Sequence, residues 1–201
     1  MPQTMNISLD QEKELKEKQI MQQHQLFNVH FSHRHPLELS EIHEEDKAVC
    51  SGCELDTLGS AYICTKPNCN FLLHDLCFDL PRHIRHPSHP KHSLKLLFSP
   101  PYSDSEFTCD ACAKSGHGFT YHCAACKFDL HVECASLPEF EERDDHQHPL
   151  VLLYGDTDKM EGPDFVCYVC GGSVWKGRWS YCCLACKCGA HLECVCSPLC
   201  G

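Results

Sequence analysis

A Cys/His pattern printed three times constrains this chain more than any other feature. In its clearest copy, Cys109 and Cys112 form one CxxC pair, Cys123 and Cys126 form a second, and His131 and Cys134 follow as HxxC. The first copy uses Cys50, Cys53, Cys64, Cys69, His74 and Cys77, and the third uses Cys167, Cys170, Cys183, Cys186, His191 and Cys194. The second Cys of each copy recurs after 59 and then 58 residues. Metal-ligand residue types repeated at near-constant spacing mark a set of small metal-built domains. Units of about 57 residues bury too little surface to stand without metal, disulfides or partners.

The sequence carries 19 Cys and 16 His. A disulfide scaffold would not require His74, His131 and His191 each to stand three residues before a Cys. Zinc does account for them, because thiolate and imidazole share one tetrahedron readily. The opening MPQTMNISLDQEKELKEKQ is polar and lacks an apolar signal core. No stretch approaches 18 apolar residues. These features predict a reducing intracellular home, in cytoplasm or nucleus. The formal charge is −11, and closing a Cys3His site on zinc makes the chain more acidic still. Nucleic-acid binding draws on phosphate neutralisation by Lys and Arg, so the global charge disfavours it.

The pattern divides the chain into a polar arm over 1–30 and three zinc domains over 31–88, 89–145 and 146–201. Within the arm, residues 11–24 are rich in helix formers, with favourable pairs from Glu12 to Lys16 and Glu14 to Lys18. Each repeat opens on a His two residues before an alternating Leu pair: HPLEL from His35, HSLKL from His92 and HPLVL from His148. That period of two predicts a short, half-buried strand that carries the His into a metal site. Tyr62, Tyr121 and Tyr181 each stand two residues before the next ligand Cys (Cys64, Cys123 and Cys183) and are expected to pack a small core. Phe71 and Phe128 share a place that Cys188 takes in the third copy, and Leu73 and Leu130 one that Ala190 takes, which predicts a looser third core. The segments around His74, His131 and His191 are expected to be short helices, with His and Cys facing one ion. The acidic stretches 139–145 and 156–163 read as solvated linkers.

One tetrahedral set per repeat combines the first CxxC with the later HxxC: Cys50, Cys53, His74, Cys77; Cys109, Cys112, His131, Cys134; and Cys167, Cys170, His191, Cys194. The remaining CxxC needs two donors, and the leading His is one. The expected outer sets are His35, Cys64, Cys69, His86; His92, Cys123, Cys126, His146; and His148, Cys183, Cys186, Cys200. His33, His83 and His89 compete for the outer His places, and Cys196 competes with Cys200. Six zinc ions follow, two per repeat.

With these motifs the chain resembles the plant Cys/His-rich C1 family, the divergent C1 or DC1 proteins. The resemblance covers about residues 31–201. It rests on HPLEL from His35 to Leu39, on YHCAACKFDLHVECASLP from Tyr121 to Pro138, and on LPRHIRHPSHPKH from Leu80 to His92. It implies small zinc-stabilised α+β modules: tandem C1-like zinc fingers with short β-sheets, a short helix and two interleaved zinc ions in each. It also implies roles in plant signalling and in stress or hormone responses, with disulfide reduction or nuclear regulation described for some members. The sequence departs from the pattern at Cys64 and Cys69, which four residues separate, and Pro67 and Asn68 favour a turn there.

The leading functional expectation is a non-catalytic adaptor that binds other proteins through loops between the ligands. Trp175, Lys176, Arg178 and Trp179 form the strongest such loop, since aromatic and Arg side chains dominate interfaces. The same residues suit an anionic lipid surface, although the Pro and Gln of lipid-binding C1 grooves are missing. Disulfide chemistry would fall to Cys182, Cys188 or Cys196, and a transcriptional regulator lacks a basic recognition helix.

Overall fold

The computed structural model describes residues 29–155, 165–174 and 177–196. The arm helix expected over 11–24 and the linker over 156–163 lie outside the described residues, as do Trp175, Lys176 and Cys200. The chain divides into two compact units. The first is Met1–Cys50 with Asp56–Asp79, and the second is Ser51–Leu55 with Leu80–Gly201.

Each repeat is built on three antiparallel strands in the order leading, middle, return. In the first these are Leu37–Ile42, Gly59–Cys64 and Leu72–His74. In the second they are Leu94–Leu97, Thr120–Cys123 and Phe128–His131, and in the third His146–Leu153, Ser180–Cys183 and Cys188–His191. The leading strands place Leu37, Leu94 and Leu150 at the fully buried positions that their alternation predicts. A short helix follows each return strand: Asp75–Phe78, the 3-10 turn Cys134–Ser136, and Leu192–Val195. The chain is thus a series of small α+β modules.

The later sheets gain a fourth strand from the chain that precedes them. His83–Ile84 pairs with Leu94–Leu97, and Phe140–Arg143 pairs with His146–Leu153. The acidic stretch 139–145 is therefore partly sheet, a correction to the linker reading. Phe140 and Glu142 are exposed on this edge strand, whereas Glu141 and Arg143 on its other face are half-buried, and Glu141 pairs with Leu150 in the ladder. Arg143 bridges Asp145 at 2.8 Å and donates to the Cys194 carbonyl at 3.1 Å, satisfying an orphan acceptor at the last helix end.

The repeated Tyr residues serve the core. Tyr121 and Tyr181 are buried, and their hydroxyls donate to the Pro81 and Pro138 carbonyls at 2.9 and 2.7 Å. Tyr62 instead stacks on Phe78, with ring centroids 3.9 Å apart. The third core also recruits Trp179, only 4% exposed, against Tyr154 and His86. The loop reading of Trp179 as an exposed anchor is thereby corrected: its ring is a packing element, while Arg178 beside it is exposed. Replacing Trp179 by Ala should destabilise the third repeat by about 3–5 kcal/mol. Hydrogen exchange should show lost protection over residues 180–183 while repeat one is unchanged.

Candidate metal centres

The knuckles are the first local device. After the CxxC pairs the chain turns through a left-handed residue: Glu54, Ala113, Lys127 and Lys187 all have φ between 53° and 63°, and Gly171 has φ 73°. This closes a tight loop, as when the Ala113 N–H donates to the Cys109 carbonyl at 2.8 Å and the Gly171 N–H to the Cys167 carbonyl at 2.8 Å. In the longer first-repeat knuckle the left-handed residue is Asn68, a type that tolerates this conformation. Amide groups converge on the sulfurs. His131 donates its N–H to Cys109 Sγ at 3.4 Å, and Cys186 donates to Cys183 Sγ at 3.3 Å. The His146 ring beside it, and then the Cys186 N–H, bring the Cys183 thiol down to about 6. Burial pushes the Cys167 thiol up, but amides of Cys170, His191 and Val169 outweigh it and bring it down to about 6. Both directions favour the thiolate, the form that binds metal.

Six groups of donors able to hold a metal ion occur among the described residues. Two inner sets are Cys50, Cys53, His74, Cys77 and Cys109, Cys112, His131, Cys134. In the third repeat, His191 Nδ1 lies 3.4 Å from Cys170 Sγ and 3.7 Å from Cys194 Sγ, and Cys194 is in hydrogen-bonding reach of Cys167. In all three, the other ring nitrogen meets a backbone carbonyl: His74 Nε2 with Asp56 at 3.2 Å, His131 Nε2 with Ser115 at 3.2 Å, and His191 Nε2 with Ser173 at 3.0 Å. That contact fixes the proton on Nε2 and turns the Nδ1 lone pair toward the thiolates.

The outer sets differ from the sequence expectation. They are His33, His35, Cys64, Cys69; His89, His92, Cys123, Cys126; and His146, His148, Cys183, Cys186. Two His from the approach to each leading strand join the second Cys pair. His86 is therefore not a donor in the first repeat: it is buried in the second unit, stacked on Trp179 at 5.2 Å, with Nδ1 2.8 Å from Ser88 Oγ. Burial holds its pKa below the usual imidazole value. His146 serves the third repeat, not the second, because it precedes His148 on the same strand. With His146 in place the third outer set has four donors without Cys200. Cys196 is half-buried and hydrogen-bonded to Tyr181.

Distances test which metal suits these donors. Zinc bonds of about 2.3 Å to sulfur and about 2.0–2.1 Å to nitrogen give tetrahedral S···N edges of about 3.6 Å and N···N edges of about 3.3 Å. The S···N separations are 3.6 Å for Cys64–His35, 3.4 Å for Cys69–His33, 3.2 Å for Cys126–His92 and 3.3 Å for Cys186–His148. The His33–His35 and His89–His92 nitrogens are 3.2 and 3.3 Å apart. One imidazole proton cannot satisfy two sulfurs, yet His131 Nδ1 faces Cys112 at 3.4 Å and Cys134 at 4.0 Å. His146 Nε2 is buried without a conventional hydrogen-bond partner. It is the same nitrogen that His33 and His89 turn into their clusters, so a cation accounts for it. The donor set and its edges fit zinc.

The sequence places Phe71 and Phe128 beside these sites, and they stack on His33 at 4.2 Å and His89 at 4.7 Å. Where Cys188 replaces them, Tyr168 approaches His146 instead, at 5.1 Å. No described Cys is in a disulfide, and Cys182 is buried in the third sheet.

A family model described as C1 domain matches residues 31–78, 87–135 and 144–195. The chain belongs to the C1-domain family. All three C1 matches enclose one inner and one outer donor set. A 100-residue segment is also 34% identical to Probable nucleoredoxin 1 of Arabidopsis thaliana. The segment covers 50% of this C1 chain, and it spans 15% of that protein's length. No helix among the described residues is long and apolar enough to cross a membrane.

The donor sets predict distinct zinc stoichiometries. Elemental analysis of the wild-type chain should give six ions. His33→Ala, His89→Ala and His146→Ala should each lower that value by about one, whereas His86→Ala and Cys200→Ser should leave it unchanged. A loss of one ion in His86→Ala would restore the other outer set. Removing an inner donor should cost structure as well as metal, because binding to an otherwise unformed site is folding free energy. Hydrogen exchange on Cys112→Ala should show lost protection over 109–134, with 37–42 unaffected.

Proposed function

We propose that this zinc-binding module is a non-catalytic adaptor of plant signalling or stress response, working inside the cell by binding other proteins. One observation carries the reading: all but a few of the described Cys residues are gathered into zinc-type donor sets, which leaves exposed apolar side chains on the rigid knuckles and helices as the recognition surface. Leu76 on the first short helix and Leu184 within the CxxC knuckle of the third outer site are exposed, as is Leu58 in the tight connection between two strands of repeat one. Large apolar side chains held at the surface by a stiff scaffold lose little freedom on binding. The plant context rests on the family resemblance and on the Arabidopsis relative.

The name of that relative supports a second reading, disulfide reduction. Its residues here would be Cys182, Cys188 and Cys196, the described thiols outside the donor sets. The packing of Trp179 weakens the membrane reading, since its ring is buried against Tyr154 and His86.

Proximity labelling in plant cells should give a defined partner set for the wild-type chain. Leu58→Asp with Leu184→Asp should lose part of that set at unchanged zinc content. Disulfide reduction by the zinc-loaded protein, with an unaltered partner set, would replace the adaptor by the enzyme.

A further inference from the structure

The inner knuckle of one repeat is received by the repeat that follows it. The Phe119 N–H donates to the Gly52 carbonyl at 2.6 Å, and the Trp179 N–H donates to the Ala111 carbonyl at 3.2 Å. Gly52 and Ala111 hold the same place, one residue before the second Cys of their knuckles, and Phe119 and Trp179 each stand one residue before the middle strand. Polar contacts flank both junctions. Glu54 accepts the His117 N–H at 2.7 Å, and Lys114 pairs with Glu193 at 3.4 Å. The fit at Gly118 is close, since a Cβ there would overlap the Gly52 carbonyl oxygen.

The third knuckle has the same internal construction, with the Cys167 N–H bonded to the Gly172 carbonyl at 2.7 Å and the Gly171 N–H to the Cys167 carbonyl. Its equivalent residue is Val169. Ala111 is 0% exposed, whereas Val169 is 42% exposed, and its carbonyl accepts no hydrogen bond among the described residues. An apolar side chain larger than Gly or Ala, beside a free acceptor, is an unfilled copy of a junction used twice in this chain. The opposite end is closed. In repeat one the ladder between the leading and middle strands runs on through Ser60 to Ile42 and Gly59, and no aromatic residue stands before the middle strand.

We propose that the Cys167–Cys170 knuckle docks a C1-type repeat of another protein, one that presents an unoccupied aromatic residue just before its middle strand. The aromatic ring would cover Val169, and its N–H would donate to the Val169 carbonyl. A second copy of this chain is the poorer occupant, because Phe119 and Trp179 are buried within their own chain and repeat one has no aromatic residue to replace them. The proposal rests on the adaptor reading and names the class of partner.

The test uses full-length, zinc-loaded chains. The probe carries Gly52→Lys, to drive the first knuckle off Phe119, and Val169→Lys, to block its own third knuckle. Glu54→Lys replaces Gly52→Lys if zinc content falls below six. In the probe alone, exchange of the Phe119 amide should rise by about tenfold or more. Sedimentation of probe mixed with wild type should then show a 1:1 heterodimer, absent when the wild type is exchanged for the Val169→Lys chain. No heterodimer despite an opened Phe119 overturns the proposal, as does one that persists with Val169→Lys. Continued protection of Phe119 in both probes shows that the knuckle does not cover it and removes the premise. Self-association of wild type through Val169 overturns the stated occupant in favour of a second copy. None of these failures alters the partner set read by proximity labelling, whose loss is the separate failure of the adaptor reading.

Discussion

Coordination of a cation by thiolates and imidazoles is the interaction on which the rest of this structure depends. A three-stranded sheet with one four-residue helix cannot bury enough apolar surface to offset the entropy of ordering its chain. Each donor set therefore joins segments that packing alone would leave apart. The inner set ties the first knuckle to the return strand and short helix. The outer set ties the approach to the leading strand to the second knuckle. Because the two sets alternate along the chain, neither end of a repeat can open without releasing donors.

The hydrogen bonds around the donors decide their orientation. A backbone carbonyl holds the Nε2 proton of His74, His131 and His191, so the inner sites bind through Nδ1. Amides pointing at sulfur stabilise thiolate charge that would otherwise be costly in a partly buried place. The aromatic partner of the outer site varies among repeats: Phe71 and Phe128 cover a ligand ring face on, whereas Cys188 leaves that face to Tyr168. The repeats thus share coordination and differ in what surrounds it, which is where separate functions have room to arise.

Buried His residues outside the donor sets show how the same residue type serves packing. His30 and His86 each bond a Ser two residues on and lie against aromatic rings. Both stand three residues before the first outer donor, so the His-x-Ser-His string at His30 and His86 was a repeat visible in the sequence. Arg143 takes that place in the third copy and caps the last helix.

The sequence by itself determined the three repeats, the inner donor sets, the leading strands and the buried tyrosines. These follow from short-range periodicity and from spacings that only metal explains. The tertiary structure decided the outer donors, the strand at Phe140–Arg143 and the role of Trp179. Several His lie within reach along the chain, and spacing alone does not say which enter the tetrahedron. His33 and His35 do so because they approach the same knuckle from the start of one strand, while His86 is drawn off by the rings of Trp179 and Tyr154. Trp179 looked like a loop residue because its neighbours are Gly177 and Arg178, yet its N–H and ring are claimed by Ala111 and His86. Such long-range competition between packing and coordination is set by geometry in three dimensions, and spacing along the chain does not rank the competing His residues.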